Sequence, residues 1–159
     1  MMRALSPQNQ GQTQTVREFV AFRTAGQDFC LDILSVREIR GYSRPAHLPH
    51  APGYVQGVIN LRGAVVPILD LAGRLGLPPL DEGARNVIIV AACGTRTVGL
   101  LVASVTDILG VADSDIQPLP DVASDASRNL LRGLILQQDR LLRVVNCDVL
   151  LQKQEGQAA

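Results

Sequence analysis

The sequence predicts an all-β protein of two small β-barrels packed together, with only short helical turns. One observation behind this is a duplication, because residues 17–41 align without gaps with residues 86–110, and residues 57–75 align with residues 133–151. The shift is 69 positions for the first pair of segments and 76 for the second, so it changes only in a joining loop. Such matches indicate two copies of one supersecondary unit. The other observation is that short apolar segments alternate with turn residues, which is typical of small barrels and sandwiches.

Hydrophobic periodicity locates the strands. Phe29, Leu31 and Ile33 alternate with Cys30 and Asp32, which is the period-two pattern of a half-buried strand. Two hairpins are expected in each copy, because turn-forming residues interrupt the apolar segments. The predicted strands are residues 16–23, 29–33, 55–61, 64–69, 87–92, 97–102, 134–136 and 141–145.

Helix is predicted only as single turns. Asp70 is the expected N-cap of a turn over residues 70–75, and Gly76 is expected just after its C-terminus. A matching turn is expected in residues 147–152 of the second copy. Pro67 has no N–H group to donate, so its strand is expected at a sheet edge or at a bulge.

The composition is that of a globular protein. A chain of 159 residues can bury roughly 70% of its unfolded surface, so it needs no disulfide or metal to hold it together. Fifteen basic residues balance fifteen acidic ones, and a chain of zero net charge lacks the electrostatic footprint of a nucleic-acid-binding protein.

The domain organisation follows from the same pattern. Residues 16–151 are expected to form one domain of two barrel halves, about 16–80 and 85–151, between disordered tails at residues 1–15 and 152–159. The first segment lacks the apolar centre of a signal peptide, and no apolar run approaches the ~20 residues that span a bilayer. The sequence therefore predicts a cytoplasmic protein with no direct membrane insertion.

Cysteine and histidine residues point to neither a disulfide framework nor a metal site. Cys30, Cys93 and Cys147 form no Cys-x-x-Cys pair, so they are predicted to be reduced and largely buried in strands. His47 and His50 have a spacing compatible with a metal, but no third ligand lies near them in the sequence, and surface histidines are the favoured interpretation. No cofactor and no metal are expected.

Enzyme motifs are absent from the sequence. It has no Gly-x-Ser-x-Gly elbow, no P-loop and no His-Glu-x-x-His segment, and its acids and serines are scattered singly. The chain is therefore predicted not to be an enzyme.

The order of several segments resembles the CheW family of bacterial chemotaxis coupling proteins. The resemblance runs from about residue 17 to residue 151, and its most specific block is Gly-Val-Ile-Asn-Leu-Arg-Gly at residues 57–63. The other matching segments are Ser-Val-Arg-Glu-Ile at 35–39, Ala-His-Leu-Pro at 46–49, Val-Pro-Ile-Leu-Asp-Leu at 66–71, Val-Gly-Leu-Leu-Val at 98–102 and the glycine at 133.

The resemblance implies both a fold and a function. The fold of the family is two SH3-like five-stranded β-barrels, which agrees with the duplication. Family members have no catalytic activity and link the cytoplasmic tip of a chemoreceptor to the regulatory domain of a CheA-type histidine kinase. The implied location is the cytoplasm, at receptor arrays on the inner membrane, and the pathway could be flagellar chemotaxis, twitching motility or another receptor–kinase system.

The two copies differ in the turn of one hairpin, and this difference makes the turn a candidate binding site. The first copy turns through Asn60-Leu61-Arg62-Gly63, whereas the second has Leu-Gln-Gln-Asp at residues 136–139, so the fold does not require the first sequence. Asn60 and Gly63 are equally well explained as turn formers. Arg62 is favoured as a partner contact, because a guanidinium is a good bidentate donor, over a merely solvated surface arginine.

Further site residues come from the resemblance. Glu38 has an equally good alternative as a solvated or intramolecularly paired carboxylate. Val36 and Ile39 have counterparts in Val105 and Ile108, so they could simply be core residues. The predicted partner-binding residues are Val36, Glu38, Ile39, Gly57, Asn60, Leu61, Arg62 and Gly63.

Leu101 stands where the first copy has Asp32, and an apolar residue on this nominally wet strand face is expected to be covered by the other barrel or, less favoured, by a partner. The alternative function is a small β-barrel module that binds nucleic acid or another ligand, which would need exposed stacking aromatics. Departures from the family pattern at Ala103 and at Val145-Asn146 leave the identity of the partners open.

Overall fold

The structure is a computed structural model that describes residues 16–81, 83–120 and 129–151. The predictions for the two tails lie outside the described residues. The strands are β1 (Val16–Thr24), β2 (Gln27–Asp32), β3 (Val36–Gly41), β4 (Val55–Leu61), β5 (Ala64–Asp70), β6 (Val87–Cys93), β7 (Arg96–Val102), β8 (Ser104–Ala112), β9 (Ile116–Gln117), β10 (Leu131–Gln137) and β11 (Arg140–Val145). An α-helix, α1 (Leu71–Arg74), and short 3-10 turns at Ile33–Ser35, Asp113–Asp115 and Cys147–Val149 accompany them.

The strands form two sheets, which confirms the all-β prediction. The first sheet has six strands in the order β8-β1-β2-β11-β10-β9, and the second has five in the order β3-β6-β7-β5-β4. Each sheet therefore takes strands from both sequence copies. The hairpin β1–β2 of the first copy lies in the sheet of the second copy, and the hairpin β6–β7 lies in the sheet of the first. The segments 16–80 and 85–151 therefore do not coincide with the two sheets.

The strand registers show that the copies are equivalent in three dimensions. Phe22 pairs with Val105 in the first sheet, and the corresponding residues Ala91 and Val36 pair in the second. Both ladders have a bulge at this point. The parallel pairings agree in the same way. Val144 lies opposite Cys30 in the first sheet, and the corresponding residues Ile68 and Gly99 lie opposite each other in the second. A duplicated sequence thus produces a duplicated hydrogen-bond register, with the two first hairpins exchanged.

The edges of each sheet are joined by one continuous segment of chain. After β3 the chain crosses to the opposite edge and forms a bridge between Ala46 and Val58 of β4. After β8 it crosses in the same manner, and Gln117 of β9 pairs with Leu134 of β10. Such crossings remove exposed sheet edges, as in small barrels.

Two equivalent glycines permit these crossings. A Cβ atom at Gly57 would overlap the carbonyl oxygen of Ala46, and one at Gly133 would overlap that of Gln117. Gly57 also has a φ of +143°, which side-chain-bearing residues rarely adopt. Both glycines are therefore explained by close backbone approach.

Three hydrophobic clusters stabilise the fold. The largest lies between the sheets and includes Phe22, Phe29 and Leu31 from one sheet and Ile89 and Leu100 from the other. The interior of the first sheet holds a second cluster, formed by Phe19, Ala21, Cys30, Leu109, Val111, Ile135, Leu142 and Val144. The interior of the second sheet holds the third, formed by Ile68, Ile88, Val90 and Leu101 with Tyr42, Ile59, Leu61 and Leu80 around them.

This three-core arrangement corrects two predictions. The strand at Phe29 is not half-buried, because Phe29 and Leu31 enter the central cluster while Cys30 enters the interior of its own sheet. Leu101 is not covered by the other sheet, because it packs with Ile68 inside its own sheet.

The predictions for Pro67 and α1 are partly correct. Strand β5 is an inner strand, so the edge prediction is wrong, but a bulge lies beside it in β4 and its ladder with β7 starts only at Ile68. Asp70 occupies the N-cap position without a capping hydrogen bond, since its Oδ2 accepts from the N–H of Leu80. Gly76 ends the helix with φ +79°, and the N–H of Leu77 donates to the carbonyl of Ala72, as in a Schellman motif.

All three cysteines are buried, as predicted, but the prediction that they are reduced is wrong for Cys93 and Cys147. Cys93 and Cys147 form a disulfide; their Cα atoms are 5.0 Å apart, and the two residues are 54 positions apart in sequence. Cys30 is a free, buried thiol, and burial raises its pKa to about 12. Sequence spacing did not reveal the pair because the two residues meet only when the sheets pack.

An ion pair at the end of β2 makes stability depend on pH. Arg17 Nη2 lies 2.6 Å from Asp32 Oδ2. Burial of the Asp32 carboxylate opposes its ionisation, but hydrogen bonds from Arg17 and from the N–H of Leu34 outweigh burial, so the pKa of Asp32 lies below its usual value of 3.8. A carboxylate with a lowered pKa stabilises the fold above its unfolded-state pKa, and this stabilisation is lost as the pH falls through the folded-state pKa.

Asp32→Asn is therefore expected to reduce the acid sensitivity of the fold. The free energy of unfolding, measured by urea denaturation at pH 7 and at about pH 3, should fall less for Asp32→Asn than for the wild type. An equal fall in the two proteins would show that this carboxylate contributes no acid sensitivity.

Candidate protein-binding surface

The predicted partner-binding residues lie on β3, on β4 and in the β4–β5 turn. Strands β3 and β4 are at opposite ends of the sheet order, yet barrel closure brings parts of them together. The contact is an ion pair in which Arg62 Nη2 lies 2.6 Å from Glu38 Oε1. We call Glu38, Ile39, Asn60, Arg62 and Gly63 the hairpin surface.

Turn geometry accounts for Asn60 and Gly63. Asn60 Oδ1 accepts a 2.9 Å hydrogen bond from the N–H of Gly63, and Arg62 and Gly63 both have positive φ. In the second copy Gln138 and Asp139 also have positive φ, so the same turn forms with a different sequence. Asn60 and Gly63 thus have a local structural role, and the turn presents the side chain of Arg62.

Three predicted residues are parts of the framework. Gly57 is buried at the chain crossing, Val36 is partly buried against the central cluster, and Leu61 is partly buried against the interior of the second sheet. These residues hold β3 and β4 in place beneath the hairpin surface.

The Glu38–Arg62 pair has a counterpart in the second copy. Asp107, which aligns with Glu38, pairs with Arg140 at 3.2 Å, although Arg140 does not align with Arg62. A hydrogen bond from the Thr106 hydroxyl and the contact with Arg140 lower the pKa of Asp107. An acid on β3 or β8 therefore binds an arginine of the opposite hairpin in both copies, which is the intramolecular alternative foreseen for Glu38.

The arginine nevertheless remains available to a partner. The side chain of Arg62 is 73% exposed, against 27% for Glu38. Exposed ion pairs contribute about 0–1 kcal/mol, so another acceptor can replace Glu38 at little expense in free energy. Arg62 is thus held in position without being buried.

Exposed apolar side chains occur at equivalent positions of the two copies. Ile39 is 45% exposed and its counterpart Ile108 is 57% exposed. Val65, beside the hairpin turn, is 71% exposed, and its counterpart Leu141 is 42% exposed. Sequence comparison missed Val65 and Leu141 as candidate contacts, and only the exposure of their strand faces identifies them.

Metal binding and base stacking find little support among the described residues. His47 and His50 are exposed, and no group of three or more His, Cys, Asp or Glu side chains in the described ranges could hold a metal ion. The three phenylalanines are buried, as predicted, so they offer no stacking surface. No helix in the described part of the chain is long and apolar enough to cross a membrane.

The two exchanged β units present a salt-bridged hairpin and solvent-facing apolar residues, which are features typical of a protein-binding module. The sequence profile of the CheW-like domain matches residues 18–155. The chain therefore belongs to the CheW-like domain family, as the sequence resemblance indicated.

Individual relatives match most or all of the chain. It is 50% identical over 143 residues to the "Chemotaxis protein CheW" of Rhizobium meliloti, covering 90% of this chain and 92% of the relative. It is 48% identical over 159 residues to the "Probable chemotaxis protein CheW" of Rhizobium etli, covering 100% of both. Among solved structures, the scaffolding protein TtCheW of Thermoanaerobacter tengcongensis superimposes with a TM-score of 0.81 at 25% identity, covering 88% of this chain and 95% of that one.

Proposed function

We propose that this protein is a noncatalytic chemotaxis adaptor that couples a chemoreceptor to a CheA-type histidine kinase. The observation that carries the proposal is the family match over residues 18–155, supported by relatives of the same length that are named chemotaxis proteins. The similar solved structure is named a scaffolding protein. An adaptor at receptor arrays would work in the cytoplasm, on the inner face of the membrane.

The duplicated architecture suits a coupling role. An adaptor must bind two different partners, and the two copies offer two related but unequal surfaces. One carries the Glu38–Arg62 pair and the other the Asp107–Arg140 pair, and the residue after each acid, Ile39 or Ile108, is an exposed apolar side chain. Apolar contacts at the centre of an interface supply affinity, and charged groups at its rim set register and orientation.

Within the proposed site we assign two roles. Glu38, Ile39 and Arg62 contact a partner directly, while Asn60 and Gly63 shape the turn that presents Arg62. Val36, Gly57 and Leu61 support these residues from within the fold. The zero net charge of the chain favours a protein partner over a nucleic acid.

Arg62→Ala tests the assignment. This variant is expected to keep the free energy of unfolding within about 1 kcal/mol of the wild type, because Arg62 is exposed and its ion pair is weak. It should weaken binding to the receptor tip or to the kinase regulatory domain by about tenfold or more, the effect of losing one interfacial arginine worth over 1.4 kcal/mol. Calorimetric titration with each purified partner measures this.

Arg140→Ala is the matched variant of the second copy: it should leave binding at the hairpin surface unchanged, and it tests the other proposed surface separately. It removes the corresponding ion pair from the second copy and leaves the hairpin surface intact. Equal affinity of Arg62→Ala and wild type for both partners would remove Arg62 from the site. Failure of the wild type to bind either partner would instead overturn the proposed function.

A further inference from the structure

The disulfide lies at the junction of the two sheets. Cys93 is the last residue of β6 in the second sheet, and Cys147 follows β11 of the first sheet. We propose that Cys93 and Cys147 form a reversible redox modification site, which reacts with low-molecular-weight disulfides of the glutathione type and fastens the two sheets together when oxidised. This inference does not depend on the proposed function.

The fold does not require a covalent link at this junction. In the alignment of the two copies, Cys93 corresponds to Thr24 and Cys147 corresponds to Leu71. Thr24 and Leu71 are both fully buried, so the equivalent junction packs without a disulfide. A chain of this size also buries enough apolar surface to fold without a cross-link. The cysteine pair is thus an addition to the second copy.

Small molecules can approach the pair from the surface. Cys93 lines a cavity of about 270 Å³ together with Arg96 and Asp148, and Cys147 lines a separate cavity of about 90 Å³. Both residues are largely buried, so we assign the first reaction to Cys93 because it borders the larger cavity. Arg96 lies directly opposite Cys93 across the β6–β7 ladder and supplies a positive charge for the carboxylates of glutathione.

The remaining cysteine would not compete. Cys30 is fully buried inside the first sheet, and burial raises its pKa to about 12. A buried thiol of this kind is protonated at neutral pH, whereas the thiolate is the nucleophile in disulfide exchange.

Glutathione disulfide alone is sufficient to oxidise the cysteine pair. The Cys93 thiolate attacks one sulfur of glutathione disulfide, which forms a mixed disulfide and releases one glutathione thiolate. The Cys147 thiolate then attacks the sulfur of Cys93, forms the intramolecular disulfide and releases the second glutathione. Two protein thiols are oxidised, and one glutathione disulfide is reduced to two thiols.

Oxidation should stabilise the junction measurably. The two half-cystines are 54 positions apart, so the bond closes a long loop in the unfolded chain. Disulfides that close long loops raise the melting temperature, and for a domain of this size an increase of roughly 5–15 °C is expected. Amide exchange at the end of β6 and at Cys147–Val149 should slow on oxidation.

The test is a redox titration of the full-length protein in mixtures of reduced and oxidised glutathione. Free thiols are alkylated at each ratio, and the modified residues are identified by mass spectrometry. Cys30→Ala is the control, and it should still form the Cys93–Cys147 disulfide. In Cys147→Ser the reaction should stop at the mixed disulfide of Cys93 with glutathione. Melting temperatures of the oxidised and reduced forms give the second measurement.

The proposal is supported if Cys93 and Cys147 become linked together as the proportion of oxidised glutathione rises, so that neither is alkylated. Reduction of the folded protein should then restore alkylation of both residues. Three results would overturn it: no linkage in excess oxidised glutathione, a linkage that excess dithiothreitol cannot reduce without unfolding, or equal reactivity of Cys30. Similar melting temperatures for the oxidised and reduced forms would show that the disulfide does not fasten the two sheets together.

Discussion

Gly57→Ala is expected to destabilise the protein by about 3–5 kcal/mol, because two unfavourable effects combine at this residue. The new methyl group would overlap the carbonyl oxygen of Ala46, and backbone atoms at a chain crossing cannot move aside easily. The φ of +143° adds strain for any residue with a side chain. Urea denaturation of the purified variant measures the loss.

Gly133→Ala is the matched experiment in the second copy. Its methyl group would meet the carbonyl of Gln117, so a loss of several kcal/mol is expected again, although Gly133 is not among the proposed contacts. Gly57→Ala should weaken partner binding only as far as it unfolds the protein. A stable Gly57→Ala variant with lost binding would instead make Gly57 part of the contact surface.

Ile68→Ala is expected to lower the free energy of unfolding by about 2–5 kcal/mol. Ile68 is fully buried inside the second sheet with Ile88, Val90 and Leu101. This cluster is small, and the sheet that surrounds it is fastened by two ladders at Ile68 itself, so the cavity left by truncation should not collapse. Thermal and urea denaturation both report the change.

Val65→Ala provides the comparison on the same strand. Val65 is 71% exposed, so its truncation should change stability by no more than about 0.5 kcal/mol. Equal losses for Ile68→Ala and Val65→Ala would contradict the placement of Ile68 in a closed interior.

Local features of the chain were sufficient to predict the strands and turns. The hairpin at β4–β5 was predicted to within one residue of its observed ends, because apolar β-branched residues and the Arg62-Gly63 turn act over a few positions. The duplication was predictable too, and it now accounts for matching registers such as Phe22 with Val105 and Ala91 with Val36.

The candidate site was only partly predictable. Because Ile39 has a counterpart in Ile108, it could simply have been a core residue, but both isoleucines are exposed. Conversely, the family resemblance predicted Gly57 as a partner contact, whereas in the structure it permits the close chain crossing at Ala46. Exposure depends on which strand faces are covered after folding, and a single strand does not encode that information.

The sequence by itself determined the strands, their turns and the relation between the copies, since these depend on side-chain alternation and turn chemistry over short distances. Only the tertiary structure decided that the first hairpins are exchanged between sheets, that Arg62 meets Glu38, and that Cys93 meets Cys147. These contacts join residues 24 or more positions apart, and they form because burying three apolar clusters at once allows one arrangement of the two sheets.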